Sequence, residues 1–142
     1  MAILKQMSLS FVTPERAIVH EDVDEVELPG EDGYFGVLPG HAPLLAALKT
    51  GEMWYRKGAE RTFAFIAGGF AEVLPDHVSI LAQVAERAED IDIARAEASK
   101  RRAEERLAKA TGVVNLDAER ARIALLRALT RLQVSRQTRP RA

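Results

Sequence analysis

At 142 residues, 47% of them hydrophobic, the chain is long enough for one full core, or for a small core with an appendage, and no apolar run approaches the ~18 residues of a membrane-spanning helix. The absence of cysteine excludes a disulfide framework and a thiolate metal site, and makes a reducing cytoplasm the simplest home. The net charge of −1 hides an asymmetry: through Ala85, 6 Lys+Arg face 12 Asp+Glu (−6), and from Glu86 onward 14 face 9 (+5). Such a switch marks a domain boundary and gives the C-terminal part an anionic partner.

The opening "MAILKQMSLSF" has no apolar core of signal-peptide length. From there to about Ala85 the period is that of short strands. "MSLSFV" alternates Met7, Leu9 and Phe11, and "HVSILAQVA" alternates Val78, Ile80, Ala82 and Val84. Between them lie "VDEVEL", "YFGVL", "EMWYR", "TFAFIA" and "FAEVL", separated by turn signals at Pro14, Pro29-Gly30, Pro39-Gly40, Gly51, Gly58, Gly68-Gly69 and Pro75. Many short strands at this spacing predict a sandwich or barrel. "GHAPLLAAL" reads equally as a helical turn and as a strand or irregular edge.

One stretch, "GEDGYFGVLPGHAPLL" from Gly30 to Leu45, combines four glycines and two prolines with Tyr34, Phe35, Val37, Leu44 and Leu45. The first set prescribes a backbone path, and the second is costly to leave in water, so the segment reads as a docking surface. Its His41 reads as a hydrogen-bonded turn or interface residue rather than a base. Trp54 and Tyr55 read as core and rim, with a contact face as the alternative.

Beyond Glu86 the period changes, dividing the chain into 1–87 and 88–142. There is no proline until Pro140, and Ala, Glu, Lys, Arg and Leu dominate, which favours helix. Glu89, Asp90 and Asp92 are expected in the first turn of a helix reaching roughly Ala110. Thr111-Gly112 breaks it, and Asn115 caps a second helix running to about Ser135. The first helix offers a thin stripe of Ile91, Ala94, Ala98 and Leu107 with Ala103 beside it; the second offers Ala121, Leu125, Ala128, Leu129 and Leu132. So little burial suits a hairpin that leaves its resting place, although a permanently packed helical cap has the same composition.

Catalytic patterns are missing. His20, His41 and His77 are far apart and have no metal-ligand neighbour at helical or turn spacing, and neither G-x-S-x-G nor a phosphate-binding G-x-x-x-x-G-K-[ST] occurs. Glu21, Asp22, Asp24, Glu25 and Glu27 read as a solvated edge. The basic second half, with "SRQTRPRA" at its end, raises nucleic-acid binding as an alternative. Nine interleaved acids and few aromatics weigh against it.

The joint order of "GEDGYFGVLPGHAPLL", "IAGGFAEVLPDHVSILA" and "IDIARA" resembles the epsilon subunits of F-type ATP synthases, from about Leu9 to Val134. The resemblance implies an α+β fold in which a ten-stranded β-sandwich of 1–87 precedes an antiparallel two-helix hairpin of 88–142. It implies a non-catalytic subunit on the central stalk of a proton-translocating synthase, coupling proton flow to ATP synthesis and peripheral to the cytoplasmic face of a bacterial membrane through the complex alone. Glu31, Asp32, Tyr34 and His41 then face the gamma subunit or the ring of c subunits. The hairpin has two arrangements in that family, folded on the sandwich or extended along gamma, where it obstructs hydrolysis. Extended, it meets the catalytic beta and alpha subunits, with Arg120, Arg122, Arg127 and Arg131 as the contacts; a solvated polar face is the other reading of that row.

"IDIARA" also matches the I/L-D-x-x-R-A motif with which some members bind ATP as a regulatory ligand, no cofactor or metal being required. The resemblance carries that site onto Glu86, Ile91, Asp92, Arg95, Ala96, Arg102, Arg127 and Arg131. A triphosphate between the arginines relieves their repulsion and stabilises the folded-down state. The plainer reading is a helical Asp92–Arg95 pair with exposed arginines.

Overall fold

The computed structural model describes residues 4–109 and 116–138. Eight strands come first: β1 Met7–Val12, β2 Ala17–Val23, β3 Glu25–Gly30, β4 Gly33–Val37, β5 Leu44–Leu48, β6 Gly51–Lys57, β7 Glu60–Leu74 and β8 His77–Arg87. Two helices follow, α1 Ile93–Lys109 and α2 Leu116–Ser135, flanked by 3-10 turns at Ala88–Asp90 and Arg136–Thr138. The chain divides into two units, Met1–Arg87 and Ala88–Ala142.

In the first unit the strand order is β2-β1-β8-β7-β5-β3-β4, with β6 joining β3 to β7. Strand β7 serves both layers of a sandwich: Glu60 to Ile66 pair with β6, and Gly69 to Val73 pair with β5. Between these halves it bends at Gly68 and Gly69, whose φ of 77° and 127° suit glycine alone. A Cβ on Gly69 would also collide with the carbonyl oxygen of Leu81 across the ladder. The register with β8 is the same on both sides of the bend, so β8 follows β7 from layer to layer. This is why eight strands stand where ten were expected: "TFAFIA" and "FAEVL" are one continuous strand of 15 residues, and β8 runs beside it, unbroken, for 11.

The alternation read in β1 holds, and that in β8 holds through Ala82 and then shifts, Ala85 being buried where Val84 was expected. Met7, Leu9 and Phe11 are buried with Val78, Ile80 and Ala82, and Leu28, Met53, Ile66 and Val73 complete the interior. Each large side chain so buried contributes about 1.5–3 kcal/mol. "GHAPLLAAL" resolves as the strand β5. Strand β2 was not anticipated, because a register shift opposite Phe11 and Val12 makes neighbouring Ile18 and Val19 both point inward and destroys the alternation. At one end of the sandwich the Asp24 carboxylate accepts from the Gly58 amide at 2.6 Å and from Gln6 Nε2 at 3.2 Å, with Arg56 Nη1 3.6 Å away.

In the second unit Asp92 stands immediately before α1. Its Oδ1 accepts the Arg95 amide at 3.0 Å and its carbonyl accepts the Ala96 amide at 3.0 Å, which makes it the N-cap. This corrects the expected first turn: Glu89 and Asp90 belong to the preceding 3-10 turn, and the first turn of α1 contains no acid. The seam also differs. α1 buries Ala96 and Ala103, not Ala94, which is exposed, or Ala98, which is half-buried. α2 buries Ala118, Ala121 and Ala128, and near its end Val134 and Ser135, with Leu125 and Leu132 half-buried and Leu129 exposed. Alanines let the helix axes approach closely while burying little: at about 0.8 kcal/mol per buried methyl-sized group, such a seam is weak. The expected break at Thr111-Gly112, the cap at Asn115 and the end at Ala110 lie outside the described residues, as does the last part of "SRQTRPRA".

Candidate functional site

The segment from Gly30 to Leu45 is a hairpin and its exit. Glu31 and Asp32 form the exposed tip between β3 and β4, and the Glu31 amide reaches the Ala47 carbonyl at 2.9 Å. Tyr34 is 51% exposed, yet its hydroxyl accepts the Glu52 amide at 3.2 Å and Lys49 Nζ stands 5.5 Å from its ring centroid. His41 Nδ1 lies 2.6 Å from the Ala42 carbonyl, and its amide closes a turn to Leu38 at 3.1 Å. The four residues thus occupy one strand hairpin and the turn that follows it. Tyr55 is core, whereas Trp54 is half-buried with the Arg61 guanidinium 4.3 Å from its ring centroid.

A second apolar surface lies on the sheet and was not among the sequence expectations. Across β5, β7, β8 and β1 the register aligns Ala47, Phe70, Leu81 and Val12 in one row. Phe70 is 57% and Leu81 63% exposed, while their neighbours Ala71 and Ala82 point into the core. The signal was present in "GGFAEVL" and "SILAQ": a Phe and a Leu at positions the alternation assigns to solvent. Large side chains side by side on an outer sheet face mark a docking surface.

On the hairpin, Arg120, Arg127 and Arg131 line one open recess of about 300 Å³ together with Ser99, Ile123 and Ala124. No acid lines it. α1 contributes Ser99, which is one turn from both Arg95 (i, i+4) and Arg102 (i, i+3), so those two exposed arginines share its flank. Arg127 Nε is a buried donor without a hydrogen-bond partner among the described residues. Such an atom is expensive to bury unless an acceptor joins it. Ile91 and Ala96 are buried, in the lead-in and the seam respectively, so their contribution is to packing. Arg122 is engaged by Glu119 at 2.9 Å, away from the recess. Glu86 belongs to β8 of the first unit.

α2 has a second apolar face. Leu116, Ile123 and Leu126 recur at i, i+7 and i+10, opposite Ala121 and Ala128 of the seam, and all three are exposed. Arg122 borders this strip on one side, and Arg120 and Arg127 border it on the other. No helix of the described residues is long and apolar enough to cross a membrane, and they contain no group of three or more metal-ligating side chains.

The first unit is a β-sandwich with an outward apolar row, and the second is an arginine-rich pair of helices. The two units coincide with two family models: the beta-sandwich domain of the ATP synthase delta/epsilon chain matches residues 6–88, and the long alpha-helix domain of that chain matches residues 89–136. The chain belongs to the ATP synthase delta/epsilon-chain family. It is 48% identical to the ATP synthase epsilon chain of Syntrophobacter fumaroxidans, covering 94% of this chain and 98% of that one. It is 44% identical to the epsilon chain of Bacillus licheniformis, covering 94% and 100%. Among solved structures, a chain of the Euglena gracilis mitochondrial ATP synthase (OSCP/F1/c-ring) shares the fold, with a TM-score of 0.77 at 24% identity over 89% of this chain and 79% of that one. This membership leaves the nucleic-acid alternative without support.

Proposed function

We propose that the chain works as a central-stalk subunit of a proton-translocating F-type ATP synthase, non-catalytic by itself, held at the membrane through the complex. The sandwich docks on gamma and the c ring, through the Glu31–His41 segment and the row from Ala47 to Val12. A strand hairpin tied by Tyr34 to Glu52 has few alternative conformations, which suits a surface that holds register under torque. The fold's occurrence in the central stalk/c-ring part of the Tetrahymena thermophila mitochondrial ATP synthase agrees with this placement.

The hairpin is a brake on hydrolysis that senses ATP. The observation that carries this reading is the acid-free recess with the unpartnered Arg127 Nε. The phosphates of ATP supply the acceptors such a recess lacks, and Arg95 and Arg102 on the same flank extend the donor set from α1. Bound there, the ligand offsets the mutual repulsion of arginines on two helices and adds to a weak alanine seam. Asp92 holds the first turn of α1 in place. Without ligand, the hairpin opens, and the second apolar face of α2, edged by Arg120, Arg122, Arg127 and Arg131, meets an acidic surface on the catalytic beta and alpha subunits.

Hydrolysis by the assembled enzyme with and without the chain, at low and at millimolar ATP, tests this. The chain lowers hydrolysis most at low ATP; an effect of equal size at every ATP concentration removes the sensing, and no effect removes the brake.

A further inference from the structure

Three side-chain hydroxyls stand within the two helices, Ser99 on α1 and Thr130 and Ser135 on α2. A hydroxyl inside a helix commonly bonds back to a carbonyl one turn earlier. Thr130 does so, donating to the Leu126 carbonyl at 2.7 Å, and Ser135 donates to the Leu132 carbonyl at 2.8 Å. Ser99 does not. Its hydroxyl has no hydrogen bond among the described residues, and its half-buried side chain lines the recess that Arg120, Arg127 and Arg131 line from α2. It is the one uncharged polar side chain there. Arg127 Nε is buried and lacks an acceptor, yet the Ser99 oxygen does not serve it. Local propensity gives no reason for the residue either: α1 has Ala94, Ala96, Ala98 and Ala103 around this position, and alanine is the better helix former.

The geometry points to Ser99 as a further binding residue of this recess, its hydroxyl donating to the same phosphate-bearing anion that supplies an acceptor to Arg127 Nε. This rests on the nucleotide reading above for the identity of the ligand, though not for the acceptor that the recess lacks. Guanidinium forks are fixed in direction, whereas a hydroxyl turns to suit, so Ser99 serves an oxygen that the arginines leave unmet. It also stands one turn from Arg95 on one side and from Arg102 on the other, so α1 meets the anion with a neutral donor between two charged ones. The ligand is then held from both helices, by Ser99 on α1 and by Arg127 and Arg131 on α2.

Calorimetric titration of the full chain with ATP, and separately with inorganic tripolyphosphate, tests the assignment in Ser99→Ala, with Thr130→Ala as the comparison. Ser99→Ala weakens binding about tenfold, the scale of one hydrogen bond to a charged group, while the helical signal of the unliganded chain is unchanged or rises. Thr130→Ala removes a hydroxyl that is already satisfied by its own helix, and leaves affinity within about twofold. Wild-type affinity in Ser99→Ala overturns the role of Ser99 and leaves the nucleotide reading standing. Weaker binding that comes with a loss of helical signal, or that Thr130→Ala matches, also overturns it, because the hydroxyl then acts on the fold. Should the wild-type chain bind tripolyphosphate but not ATP, the nucleotide reading fails and Ser99 is judged on tripolyphosphate alone. Binding of neither by the wild-type chain overturns both.

Discussion

The Asp92 carboxylate caps the helix that carries Arg95, accepting its backbone amide at 3.0 Å. The acid and the base of "IDIARA" are therefore linked through main chain, and the Asp shapes the turn from which the Arg projects. Asp92→Ala is expected to cost the hairpin about 1 kcal/mol, the usual loss on removing such a cap, whereas Asp92→Asn keeps most of it. Helix content and hairpin proteolysis read the difference. Equal damage from Asn and Ala would mean that the charge, not the cap, is what matters.

Calorimetry on the isolated chain should show ATP binding, tighter than ADP. Arg127→Ala or Arg95→Ala should weaken it by about tenfold or more, as expected for a lost charged contact. Millimolar ATP giving neither heat nor protection of the hairpin from protease would refute the site.

Phe70 and Leu81, opposite each other on the outer sheet face, contribute little to the core. Phe70→Thr or Leu81→Thr should change stability by no more than about 0.5 kcal/mol, because threonine keeps strand propensity at an exposed site. Binding to gamma should fall by about tenfold, as for a central apolar anchor. Co-purification undiminished in the double variant would remove this face from the interface.

A chain ending after Ala88 should fold as a β-rich monomer and keep gamma binding, because the last ladder pair closes at Arg87. Incorporated into the assembled enzyme, it should leave synthesis coupled and raise hydrolysis. Failure to fold is the adverse result for the boundary, and unchanged hydrolysis is the adverse result for the brake.

The Gly58 amide foremost, then Gln6 and the charges of Arg56 and Lys57, hold the Asp24 carboxyl below its ordinary value of 3.8. Since the folded form favours the carboxylate, its contribution is fully present above that ordinary value and is lost as pH falls through the depressed one. Asp24→Asn should therefore flatten the acid limb of the stability curve below about pH 4 and leave its shape near pH 7 unaltered. Parallel acid limbs in the two proteins would show that Asp24 adds nothing to that dependence.

The sequence alone determined the two-part plan, the strand period before Ala85, the helical period after it, and the order of motifs that marks the family. These are local properties: alternation, turn residues and intrinsic propensity act within a few residues of themselves. The arginines of the nucleotide proposal could also be picked out, because Arg95 and Arg102 repeat at i, i+7 on the first helix and Arg127 and Arg131 at i, i+4 on the second.

Only the tertiary structure decided what depends on residues far apart. It placed Ser99 of α1 beside Arg127 and Arg131 of α2, and left Arg127 Nε buried without an acceptor. It set Phe70 opposite Leu81 in one row, a pairing between strands that the alternation within either strand does not contain. It also put the Ile18 carbonyl, exposed to capture by a bulge that erased the alternation of β2, within reach of Arg87, 69 residues away. Register and bulges are set by the whole sheet, since a shift of one residue reverses every side chain on a strand, and no short window of sequence contains that information.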